Sequence, residues 1–129
     1  MKRGVNVALG VVVVLVVMQL VRPTRENPAV TGDLVTPPDV KSVLKKACYD
    51  CHSNETVWPW YSNVAPVSWL VTRDVNKGRR AMNFSEEGAD QMDADDMEGH
   101  IHHDMPPRIY LIMHPEANLS ELQKTQLVA

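Results

Sequence analysis

The chain has 129 residues, enough for one small domain with a thin core, and carries one Phe, three Tyr and three Trp. Its 13 Lys and Arg against 16 Asp and Glu give a net charge of −3; setting aside Lys2, Arg3, Arg22 and Arg25 leaves 9 against 16, or −7. A body so charged repels a phosphate backbone, which excludes nucleic-acid binding, and a core so poor in aromatic bulk would be completed by a large prosthetic group.

The opening segment places Lys2 and Arg3 before an apolar run from Val5 to Val21 that contains only Asn6 and Gln19 as polar residues. A run of that length is near the minimum of about 17 residues for a membrane-spanning helix, and no small-residue cleavage site follows it. Residues 1–22 are therefore predicted to be an uncleaved signal anchor, a single-pass helix in the inner (cytoplasmic) membrane that leaves the remainder on the periplasmic side. Residues 23–36, with turn formers and no helical period, read as an extended linker, and residues 37–129 as the domain proper.

A helix start follows at Thr36-Pro37-Pro38-Asp39, with Thr36 as the cap and Pro37 at the first helical position. Val40, Val43, Leu44, Ala47 and Cys48 then recur at helical spacing, and Lys41, Lys45 and Lys46 take the other side, a solvated face or a docking patch for an acidic redox partner. That helix delivers the only two cysteines, in Cys48-Tyr49-Asp50-Cys51-His52.

Two thiols three positions apart match the two vinyl groups of one haem, and the adjacent His52 falls where an imidazole would ligate the iron. Three other chemistries share parts of the pattern. A dithiol redox motif has no use for the His; a zinc site would recruit Cys48 and Cys51 with two of His100, His102 and His103, at irregular spacing; and a disulfide across so short a loop would stabilise little.

The segments CYDCHSNET, PWY, APVSW and MPPRIYLIMHPEA, spread from Cys48 to Ala117, together resemble the bacterial haem-binding domain family of small exported monohaem c-type cytochromes. The resemblance implies an all-α, cytochrome-c-like fold around one covalent haem c, an electron-transfer role rather than an enzymatic one, and redox partner proteins in a membrane electron-transfer chain. Cys48 and Cys51 would be the tethers and His52 the proximal ligand. The family's M-P-P motif points to Met105 as the distal ligand, and a thioether followed by two prolines that fix the backbone is chemically apt for it. His103 or His102 is the alternative, which would make the protein a haem sensor or peroxidase-like protein with a displaceable ligand.

Around the attachment point, Trp58, Trp60 and Tyr61 are expected to wall the haem. A second helix is predicted over Pro66–Val75, ending near Gly78, with Arg79 or Arg80 solvated or reaching a propionate. Ser85 would cap a third helix leading into an acidic run from Asp90 to Glu98. His114-Pro115 reads as a turn, and Ser120 with Gln123 as a capping box whose helix packs Leu119, Leu122 and Leu127 on the first.

Overall fold

The computed structural model describes residues 2–89 and 94–128, and every regular element among them is helical. In chain order these are α1 (Lys2–Met18), α2 (Pro38–Ala47), α3 (Tyr49–His52), a 3-10 turn (Trp60–Asn63), α4 (Val67–Ala81), α5 (Ala94–His103), α6 (Arg108–Leu111), a second 3-10 turn (Pro115–Ala117) and α7 (Glu121–Val128). Asp90, Met92 and Asp93 of the acidic run lie outside the described residues.

The predicted membrane anchor is overturned. No helix among the described residues is long and apolar enough to cross a membrane. Seventeen residues of α1 rise about 25 Å, short of a hydrocarbon core of about 30 Å, and two of them are Lys2 and Arg3. The apolar run continues to Val21, but the helix ends at Met18 and tightens into a turn in which Leu20 N and Val21 N donate to Val17 O and Met18 O, and the Gln19 side chain reaches the body. Gln19 Nε2 donates to Ala65 O at 3.1 Å, and Ala65 N donates to Gln19 Oε1 at 3.0 Å. Trp69 Nε1 fixes the following turn by donating to Val21 O at 2.8 Å. The single-pass placement in the inner membrane, with the rest facing the periplasm, falls with the anchor.

Residues 23–36 are extended, and they are strapped to the body along their length. Asn27 Nδ2 donates to Thr56 O, Asn54 Nδ2 to Ala29 O, and the amides of Thr31 and Gly32 to Ser85 O. At the far end Asp33 pairs with Lys41 and accepts from Tyr49 Oη at 2.9 Å. Burial opposes ionisation of Asp33, but these bonds outweigh it and hold its carboxyl below the usual range. Arg79 fastens the middle, donating to Ser53 O, Glu26 O, Asn27 Oδ1 and Thr56 Oγ1 at 2.7 to 2.8 Å. That fork is thus committed to the strap.

The core gathers Leu44 of α2, Tyr49, Phe84, Ile101 of α5, Leu119 and Leu127 of α7. Leu44 sits on the stripe read from the sequence, although the helix begins one residue later than expected. Pro37 occupies the cap position, Lys41 N donates to Pro37 O, and Thr36 Oγ1 is buried with no partner among the described residues. Gly78 does not end α4. It lies inside the helix, which runs on to Ala81, because a Cβ there would overlap the carbonyl of Cys51. Glycine lets α4 cross α3 backbone to backbone. Ser85 is buried too, accepting from Asn54 N at 3.0 Å rather than capping a helix. The Ser120–Gln123 capping box forms, with Gln123 N donating to Ser120 Oγ at 3.3 Å and Ser120 N to Gln123 Oε1 at 2.9 Å. Of the three leucines assigned to its packing, Leu119 and Leu127 are buried and Leu122 is exposed, since residue 122 falls on the outer side of a single short helix.

Candidate functional site

Cys48 ends α2, and the chain turns at once into α3, whose four residues carry Cys51 and His52. Cys51 N and His52 N both donate to Cys48 O, at 3.1 and 2.9 Å, so the motif is one tight turn. A neighbouring stretch grips the histidine from two directions. Phe84 N donates to His52 O at 2.8 Å, and the ring nitrogen Nδ1 lies 3.1 Å from Met82 O. A carbonyl can only accept, so Nδ1 carries the proton and Nε2 keeps its lone pair. Phe84 also stacks on Tyr49 at 5.3 Å between ring centroids, closing the back of the turn.

Burial is the largest influence on His52 and lowers its pKa, against the raising effect of its bonds to Met82 and Gly78. Burial likewise pushes the Cys48 thiol up to about 12, with the Cys51 thiol adding to it, and Cys51 up to about 11, with Asp50 the next cause. Thiols raised in this way do not suit a dithiol redox centre, which needs a depressed thiol pKa. The two sulfurs are not joined, and among the described residues no group of three or more His, Cys, Asp or Glu side chains is placed to hold a metal ion.

Cys48, Cys51 and His52 line a cavity of about 640 Å³ between α2, α4, the end of α5 and the segment after it. Its size is in the range of about 300–1,000 Å³ typical of cofactor sites. Met105 and His100 line the same space; His102 and His103 do not. His102 is directed to Glu121, with Nδ1 4.0 Å from the carboxylate. Of the histidine cluster it is therefore His100, rather than the expected alternatives His102 and His103, that lines the cavity. Met105 is 38% exposed, at the rim. The residues present fit a haem: two thiols, one neutral imidazole with a free Nε2, and a large space that all three share.

A second cavity of about 360 Å³ adjoins the first, and Asp50, Cys51 and Tyr110 are among the walls they have in common. Trp60 and Tyr61 line this second space, whereas Trp58 lines neither. Beside it lies a polar cluster that the sequence did not disclose. Tyr110 Oη donates to Asp50 Oδ2 at 2.8 Å, and the Tyr110 ring stacks on His114 at 4.2 Å and 9°. Tyr61 Oη lies 2.7 Å from His114 Nε2, and His114 Nδ1 lies 3.1 Å from Glu116 Oε1. Met82, Phe84 and this cluster carried no periodic signal; they meet the motif only through contacts across 30 to 60 residues.

The haem-binding domain family matches residues 13–129. The chain belongs to the haem-binding domain family. The match takes in α2 to α7 and both cavities. No curated protein matches the chain, and no solved structure does.

Proposed function

We propose that this haem-binding domain is a monohaem c-type electron carrier, with Cys48 and Cys51 as covalent tethers, His52 as proximal ligand through Nε2 and Met105 as distal ligand. The observation that carries the reading is the double hold on His52, whose proton is fixed on Nδ1 by Met82 O at 3.1 Å inside a cavity shared with both thiols and Met105. A carbonyl that accepts from the far ring nitrogen fixes tautomer and ring orientation and raises the basicity of the free nitrogen. When bound, the haem supplies a one-electron couple.

The chain's own residues do the rest. The neutral thiols of Cys48 and Cys51 stand at the cavity wall, Gly78 lets α4 close over Cys51, and Leu44, Phe84 and Ile101 exclude water. Electrons would be exchanged with redox partner proteins. The test is maturation with a c-type attachment system. The expected product is coloured, heavier by one haem, resistant to acid-acetone extraction and reversibly reducible; colourless protein with two alkylatable thiols would overturn the reading.

The 38% exposure of Met105, with His100 on the same cavity, favours a second reading, a haem protein whose distal ligand is displaceable. Rapid carbon monoxide binding by the reduced protein would support it; no binding would leave the carrier.

A further inference from the structure

The second cavity lies beyond the Cys51 side of the first, and the residues assigned to the iron, His52 and Met105, line the other space only. Its mouth is apolar and uncovered: Val57, Trp60 and Ile112 are 75, 71 and 75% exposed. A patch of this kind around a concave space marks a place where an apolar body enters.

The polar groups on its wall are not equivalent. Asp50 is fully committed, one oxygen to Val57 N at 2.9 Å and the other to Tyr110 Oη. At the other side Glu116 can only accept from His114, so His114 Nδ1 carries a proton, Nε2 accepts, and Tyr61 Oη donates to it. Tyr61 Oη then retains an unused acceptor lone pair. Burial, the nearby Asp50 and Cys51, and Glu116 all favour the protonated phenol. From Tyr61 the chain of bonds runs outward through His114 to Glu116, which is exposed.

We propose that this cavity binds a hydroquinone, an apolar ring whose hydroxyl donates to Tyr61 Oη, and that it is the entry point for electrons. The redox half rests on the haem reading above. In each event one hydroquinone O–H bond breaks; its proton moves to Tyr61 Oη as the Tyr61 proton passes to His114 Nε2, and the electron passes to ferric haem across the shared wall. Once the haem has passed its electron to a redox partner protein and the ring has turned its remaining hydroxyl to Tyr61, a second event completes the oxidation to the quinone, so the one haem is reduced twice and two protons leave by way of Glu116.

The experiment measures binding of tetramethylhydroquinone and of its dimethyl ether, by ligand-observed NMR, to the fully reduced haem-loaded protein under anaerobic conditions. The hydroquinone is expected to bind about tenfold more tightly than the ether, the worth of one hydrogen bond in a desolvated site. Tyr61→Phe combined with His114→Leu removes both acceptors and should abolish the preference while the ether still binds. Leu70→Glu, a half-exposed residue on the cavity wall, should weaken both ligands at least about tenfold by placing a charge in the slot. Equal binding of the two ligands, no binding, or a preference that survives the double substitution overturns the proposal. Failure of the haem reading looks different: the protein is colourless and yet distinguishes the hydroquinone from its ether.

Discussion

Gly78 and Cys51 meet backbone to backbone: a Cβ built on residue 78 would stand 2.8 Å from the Cys51 carbonyl carbon, closer than real side chains come. Gly78→Ala should therefore destabilise the protein, although the same change in an open helix is worth up to about 1 kcal/mol of stability. Overpacking against backbone costs about 1–3 kcal/mol, so the net effect is a lowered Tm and poorer haem loading. Gly10→Ala in α1, where a Cβ meets nothing within 4 Å, is the control and leaves Tm unchanged or raised. Thermal unfolding followed by circular dichroism checks both.

Arg79→Met should release the strap. Four hydrogen bonds from one guanidinium are lost, two of them to Glu26 and Asn27 of the extended segment, at a cost of about 2–4 kcal/mol. Arg79→Lys should rescue little, because a point charge cannot span four acceptors. Denaturant midpoints give the energy, and faster tryptic cleavage after Arg25 reports the local opening.

Met105→Ala should move the haem spectrum from low spin toward high spin. Should it stay low spin, His100 has moved in, since it lines the same cavity, and the double substitution with His100→Ala will then be high spin. His102→Ala and His103→Ala should leave the spectrum as it was. Absorbance and electron paramagnetic resonance distinguish these outcomes.

His52 makes stability depend on acid. Its folded pKa lies below the ordinary histidine value of about 6.5, so the unfolded chain takes up a proton that the folded chain refuses. The contribution is complete above about 6.5 and declines as pH falls from there through the lower folded value; an iron held on Nε2, as proposed, would act in the same direction. Urea midpoints between pH 7.5 and 4.5 should fall, and the fall should be shallower in His52→Gln.

What the sequence revealed was local. The stripe ending in Cys48, the C-x-x-C-H turn and the Ser120–Gln123 box are each written within a few residues, where helical period and cap chemistry act directly. The expected anchor failed because hydropathy counts side chains and is blind to Gln19, whose amide finds the Ala65 backbone 46 residues away. Gly78 read as a helix end because glycine commonly is one; the close approach that requires it belongs to a second helix. Met82, Phe84 and Tyr61 with His114 went unseen for the same reason, as their partners are chosen by tertiary packing.

The strap carries a lesson in timing. Thr31 and Gly32 donate to Ser85 O, and Thr31 Oγ1 reaches the same carbonyl across 54 residues. During synthesis this stretch leaves the ribosome early, meets Lys41, Tyr49, Asn54 and Thr56 as they emerge, and is fastened by Arg79 and Ser85 only when those residues follow. If haem is joined to Cys48 and Cys51 as proposed, the attaching enzyme would have its access before those later ties close.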